Sequence, residues 1–181
     1  MDRPARGFTL VEVLVTVSVL GVLLAVGVPS FAELLDDLRL QTVSNDVLQQ
    51  LMLARSEAIK RNARVVVCKS ADGEACAETG GWEQGWIVFH DANNSGTREP
   101  GEPVIQGLRG LPPGWRLVGN GPVTHYVSYG PVGVTRLVSG AFQAGSFTVC
   151  RASVDAVQAR RIIINAAGRP RVQKVRLDSC S

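Results

Sequence analysis

A chain of 181 residues that is 45% hydrophobic, 19% charged and net +3 is long enough to bury a core and too apolar for a disordered or collagen-like chain. The average conceals an uneven distribution: residues 151–181 hold seven basic and two acidic side chains, a local +5, whereas residues 1–150, with 12 basic against 14 acidic, sum to −2. A surface that attracts anions therefore belongs to the C-terminal segment.

Phe8 to Val28 (FTLVEVLVTVSVLGVLLAVGV) is apolar but for Glu12 and is followed by Pro29. At about 1.5 Å rise per residue it is long enough to cross the hydrocarbon of a bilayer. Arg3 and Arg6 precede it, and the positive-inside bias holds such an N-terminus in the cytoplasm and puts the rest of the chain on the far side. A secretory signal peptide has a shorter apolar core with a small-x-small cleavage site behind it. Here the processing signal lies in front. Arg6-Gly7-Phe8-Thr9-Leu10-Val11-Glu12 resembles the class III leader of type IV pilins and pseudopilins. The resemblance implies that prepilin peptidase cuts after Gly7, methylates Phe8 and leaves residues 1–7 as a removed leader. A lone carboxylate at this depth costs about 2.5–3.5 kcal/mol, so Glu12 needs a partner. The resemblance supplies one, the N-terminal amine of a neighbouring subunit, created at Phe8 one helical turn away.

Ser30 to Asn62 contains no glycine or proline, and apolar residues recur at helical spacing from Leu34 and Leu38 through Val43, Val47, Leu51, Ala54 and Ala58. One helix is expected over 8–62, bent or loosened near Gly27 and Pro29, with residues 8–29 in membrane or filament core and 30–62 amphipathic. The basic run Arg55, Lys60, Arg61, Arg64 reads as a solvated face near the helix C-terminus, where cations suit the dipole. A nucleic-acid surface is the other use for it.

Beyond Asn62 short β-branched runs alternate with glycine and proline, so residues 63–181 are expected to form a β-rich head. Strands are expected at 64–69, 82–90, 103–108, 115–118, 123–129, 134–138, 145–151, 157–165 and 171–177. A helix followed by many short strands predicts an α+β fold, antiparallel sheet packed on the helix. Cys68, Cys76, Cys150 and Cys180 all fall on the translocated side, where disulfides are permitted, and they allow three pairings. Cys68–Cys76, closing a short loop, with Cys150–Cys180, pinning the chain end to a strand, is the favoured set. Without a CxxC pair and with only His90 and His125 to help, a zinc site is disfavoured.

Asp91, Asn93, Ser95, Gly96 and Glu102 match the spacing of an EF-hand calcium loop. Their flanks read as strands and not as helices, so a long hairpin loop is expected there, with calcium the alternative and no other cofactor implied. Gly168-Arg169-Pro170-Arg171 opens the last basic stretch, with Lys174 and Arg176 behind it and Arg160 and Arg161 on the preceding strand. Glycine suits the turn, Pro170 demands an edge or loop position, and closely spaced guanidiniums suit successive phosphates. No aromatic residue flanks the motif, which points to backbone contact with duplex DNA and not to base stacking.

The long helix, the GWEQGWIVFHDANNSG stretch and the GRPR motif ahead of a terminal cysteine resemble minor pilins of the FimT/GspH family, FimT above all. The resemblance implies a type IV pilin fold, a single-pass protein of the inner membrane with its head in the periplasm, and later incorporation into a pilus or periplasmic pseudopilus. Its implied partners are major and minor pilin subunits, prepilin peptidase and, through the glycine-arginine-x-arginine turn, extracellular DNA taken up in natural transformation. The alternative is a structural minor pilin or the H-type pseudopilin of type II secretion, without DNA binding. No nucleophile motif surrounds either histidine and no phosphate-binding glycine loop precedes a helix, so an enzyme is not expected.

Overall fold

The computed structural model describes residues 9–180. The expected cleavage and methylation positions, Gly7 and Phe8, lie outside the described residues. The chain divides into two compact units between Leu38 and Arg39. One helix, α1 (Leu10–Arg61), contributes to both and runs through Gly27 and Pro29 without a break.

In the first unit the apolar side chains from Leu10 to Val28 are exposed all round the helix, and this segment is long and apolar enough to cross a membrane. The polar side chains within it turn back on the helix: Thr16 Oγ1 donates to Val13 O at 2.9 Å, Ser18 Oγ to Leu14 O at 2.7 Å and Ser30 Oγ to Val26 O at 3.1 Å. Such bonds satisfy hydroxyls where no water is available.

In the second unit the remainder of α1 buries one stripe: Leu40, Val43, Val47, Leu51, Ala54 and Ala58, three or four residues apart. Ala54 and Ala58 are wholly buried, and their small side chains let the sheets approach the helix backbone. The helix ends in a Schellman closure. Asn62 takes a left-handed φ of 49°, Ala63 N bonds Ala58 O and Asn62 N bonds Ile59 O, both at 3.2 Å.

Eight strands follow: β1 (Val65–Lys69), β2 (Gly85–His90), β3 (Val104–Arg109), β4 (Trp115–Gly119), β5 (Tyr126–Tyr129), β6 (Gly145–Arg151), β7 (Val157–Ile164) and β8 (Pro170–Leu177). They form two antiparallel four-stranded sheets, ordered β3-β2-β1-β5 and β4-β6-β7-β8. Alternate residues of each, among them Val65, Val67, Trp86, Val88 and Tyr129 from the first and Leu117, Phe147, Val149, Ile162 and Ile164 from the second, join the α1 stripe in one core. The expected α+β architecture, a long helix packed on antiparallel sheet, is what the chain forms.

Three strand boundaries differ from expectation. Residues 82–84 are a 3-10 turn, because the Trp82 indole N–H reaches Val123 O and Thr124 O at 3.0 Å and draws the chain inward before β2 begins. Gly121–Val123, with Pro122, forms a second 3-10 turn, and β5 starts only at Tyr126. Residues 134–138 make no strand, only the isolated bridges Tyr129–Thr135 and Arg136–Phe142. The buried side chain of Gln143 takes the place of a ladder there: its Oε1 accepts Ser128 N at 2.9 Å while Nε2 donates to Pro122 O and Tyr126 O at 2.8 Å.

Candidate nucleic-acid interface

The β7–β8 hairpin carries most of the C-terminal charge. Its turn closes through Gly168 N to Asn165 O at 2.8 Å and Arg169 N to Asn165 Oδ1 at 3.0 Å, with Gly168 at φ 71°. Gly168 is buried, and any side chain there would run into the Gly133 carbonyl oxygen, with the Tyr129 ring 3.0 Å away. Gly133, at φ 74°, is equally confined: a Cβ would lie 2.8 Å from Ile59 Cδ1. Its carbonyl accepts Arg55 Nε at 3.0 Å. Two glycines packed back to back thus dock the hairpin turn, through the 130–134 loop, onto α1. Buried among them, Tyr129 has no hydrogen-bond partner for its hydroxyl, and burial pushes its phenol pKa up against the opposing pull of Arg55.

Strand register distributes the predicted basic residues. Directly opposed residues share a face and neighbours alternate. Arg160–Lys174 and Gln158–Arg176 therefore lie on the face of Ile162 and Val172, which looks toward the core. Arg171, opposite Ile163, and Arg161, opposite Gln173, lie on the other face with Ala159, Cys150 and Cys180. Arg169 precedes β8 and belongs to the turn. The hairpin brings the seven positions to one element but divides the strand residues between its two sides. Arg169, Arg171, Lys174 and Arg176 are exposed along this sheet edge, whereas Arg160 and Arg161 are half-buried.

At the C-terminal end of α1 the charges differ in how they are held. Glu57 pairs with Arg61 at 2.6 Å and Lys60 at 3.5 Å, and these contacts, the Arg61 hydrogen bond foremost, hold its carboxyl below the ordinary range. Arg55 and Arg64 instead donate to neutral oxygens: Gly133 O, and Ser128 Oγ at 2.7 Å. Neither has a carboxylate partner among the described residues, and Arg55 ties α1 to the loop on which the turn packs, a link the sequence hides because 78 residues separate Arg55 from Gly133.

The other predicted sites make contacts within the chain. Asp91 and Glu102 are buried, and their oxygens face the backbone of the β2–β3 hairpin loop: Asp91 accepts Ser95 N and Gly96 N at 3.0 Å, and Glu102 accepts Ala92 N at 2.8 Å and Glu99 N at 3.0 Å. Asn93 Oδ1 also accepts Ser95 N, at 3.1 Å. Among the described residues no group of three or more His, Cys, Asp or Glu side chains gathers as a metal-ligand set. Cys68 bonds Cys76 and Cys150 bonds Cys180, with Cα separations of 5.6 and 6.2 Å. At the other end of the chain, Glu12 Oε2 accepts Thr9 N at 2.8 Å and Thr9 Oγ1 at 3.0 Å, while Thr9 Oγ1 accepts Glu12 N at 3.2 Å. This is a capping box on α1, which the Thr-x-x-Glu spacing could have disclosed. It gives the lone carboxylate two donors within its own chain.

Comparison with known proteins places this architecture. The pilin-like protein PilA1 of Thermus thermophilus is 33% identical over 97 residues, covering 54% of this chain and 55% of that protein. The chain thus spans about half the length of this curated relative. Two crystal forms of the type IV minor pilin FimU of Pseudomonas aeruginosa share the fold, with TM-scores of 0.56 and 0.59. Identity is 16% and 18%, and the matches cover 78% of this chain and 99% and 95% of FimU. The family model of the type II transport protein GspH matches residues 43–168, and the prokaryotic N-terminal methylation motif matches residues 2–28. With the exposed apolar helix, the capped Glu12 and the two-sheet head, these matches identify the chain as a pilin-like member of the GspH family.

Proposed function

We propose that this protein is a minor pilin of a type IV pilus, nearest in role to FimT, that binds extracellular DNA through backbone phosphates for uptake in natural transformation. The observation that carries the proposal is the rigid seating of the β7–β8 turn. Gly168 is locked against Gly133 and α1, while Arg169 and Arg171 project from it exposed, with no carboxylate partner among the described residues. Seating the backbone of the turn spares part of the ordering cost when its guanidiniums grip phosphates, and contacts confined to the DNA backbone read no sequence. Lys174 and Arg176 extend the exposed edge, and Arg160 and Arg161 lie behind it. In this reading the subunit is anchored in the inner membrane with its head in the periplasm, is cut by prepilin peptidase after Gly7, is methylated at Phe8 and joins other pilin subunits through Glu12.

The test is a fluorescence-anisotropy titration of the full chain in detergent micelles with a labelled duplex at low salt. The wild type binds, and Arg169→Ala with Arg171→Ala weakens binding at least tenfold. Equal binding by both proteins refutes the assignment to this turn. The family match favours a second reading, a structural minor pilin or H-type pseudopilin of type II secretion, and the absence of any wild-type binding would select it.

A further inference from the structure

Arg55 stands in the last two turns of α1, half-buried, with its guanidinium on the 130–134 loop. Its Nε donates to Gly133 O at 3.0 Å, and a side chain on Gly133 would crowd that nitrogen, since a Cβ would lie 2.9 Å from it. The same charge acts on the buried Tyr129 phenol. The carbonyl that Arg55 holds is the one Gly168 packs against. Gly133 N bonds Gly130 O at 2.8 Å and Gly130 N bonds Val134 O at 2.9 Å, so the loop is a tight turn that moves as one piece. Two residues on, Thr135 Oγ1 lies 3.3 Å from Asn165 O, the carbonyl that closes the β7–β8 turn by accepting Gly168 N. Residues 133–135 therefore form the seat of the arginine turn, and Arg55 fastens that seat to α1. Lys60 and Arg61, from the same basic run, pair instead with Glu57.

We propose that Arg55 is a positioning residue for DNA binding, which acts through the Gly133 carbonyl to hold the turn of Arg169 and Arg171 in place and takes no phosphate itself. The proposal rests on the DNA-binding function proposed above and deepens it, bringing an arginine of α1 into the site without making it a contact. A guanidinium that donates to a carbonyl makes a charge-assisted bond, about twice as strong as a neutral one. Without that bond the seat loses its tie to α1, and more of the turn must be ordered when DNA arrives. This cost falls on affinity at every salt concentration. It leaves the number of neutralised phosphates, and with it the salt slope, unchanged. Lysine in its place keeps the charge but loses the Nε–H, because its only nitrogen sits at the end of the stem.

Anisotropy titrations of the full chain in detergent with a labelled duplex, repeated over a range of salt concentrations, test two variants. Arg55→Ala is expected to weaken binding about three- to tenfold at each salt concentration with the slope unchanged, and Arg55→Lys to weaken it by a similar factor although the charge is kept. Amide hydrogen exchange at Gly168 and Arg169 should quicken in both. A slope flattened by about 0.9 in Arg55→Ala makes Arg55 a phosphate contact and overturns the proposal. Wild-type affinity in either variant overturns it too, as does weakened binding with exchange at Gly168 and Arg169 unaltered. Arg55→Lys carries the test alone if Arg55→Ala does not fold. Added to Arg169→Ala with Arg171→Ala it should cost no further affinity, and an additive loss would show that Arg55 acts on DNA independently of the turn. Wild-type protein that binds no duplex removes the DNA-binding function itself, whereas binding that depends on Arg169 and Arg171 but not on Arg55 removes only this inference.

Discussion

The most constrained residue of the basic hairpin is a glycine with two independent requirements. Gly168 needs a left-handed φ of 71°, and the space a side chain would fill is taken by the Gly133 carbonyl. Gly114 isolates the first requirement: its φ is 83°, yet nothing lies within 4 Å of its missing Cβ. Alanine at Gly114 should therefore cost only the backbone strain, about 1 kcal/mol, while alanine at Gly168 must also push the turn off the 130–134 loop and should cost at least about twice as much. Paired thermal melts read the difference, and equal losses would mean that the contact with Gly133 gives under the added methyl. DNA affinity gives a second readout. Gly168→Ala moves Arg169 and should weaken binding, whereas Gly114→Ala should not.

At the scale of elements, what the sequence disclosed was whatever local chemistry dictates. The stretch free of glycine and proline from Ser30 to Asn62 fixes the second half of α1, Gly168 and Pro170 fix the last hairpin, and β-branched runs such as Val65–Val67 and Ile162–Ile164 mark the sheet strands. What escaped was decided by distant partners. Trp82 became a turn residue because its indole found carbonyls some 40 positions away, and 134–138 lost its ladder to the Gln143 side chain. Neither event leaves a local pattern. The same holds for the candidate site: the four-residue motif was legible, but Arg55 and Gly133 are joined to it only by folding. The disulfides tie elements that hydrogen bonds hold weakly at their ends. Cys150–Cys180 fastens the C-terminal segment to β6 across a separation of 30 residues, alongside the Ser153–Cys180 bridge, while Cys68–Cys76 closes a separation of eight. Loop-closure entropy ranks them at about 3.5 and about 2.5 kcal/mol. Replacing Cys150 and Cys180 together by serine should lower the denaturation midpoint more than replacing Cys68 and Cys76. A reversed order in chemical denaturation would place the dominant contribution in native packing around Cys68, which is buried with Val66, Ile87 and Phe89.

Over the whole molecule a net charge of +3 predicts feeble attraction to DNA, and its placement predicts something sharper. If the molecule bound as a diffuse weak cation, removing any two positive charges would matter equally. If the hairpin turn is the binding surface, only charges that displace counterions from the phosphates count. Three to four such contacts give a slope of about −3 in a plot of log affinity against log salt, or roughly a 60-fold loss between 50 and 200 mM salt. Deleting Arg169 and Arg171 should flatten that slope by about 2, because each lost phosphate contact removes close to 0.9. Lys60 and Arg61 provide the matched control, since both already pair with Glu57 and their removal takes away charge without taking away a phosphate contact. Lys60→Ala with Arg61→Ala should therefore leave the slope unchanged while lowering the net charge as much as the turn variant does. Equal flattening by the two double variants would show that total charge, and not the seated turn, governs the attraction, and the turn would then be one part of a general basic surface.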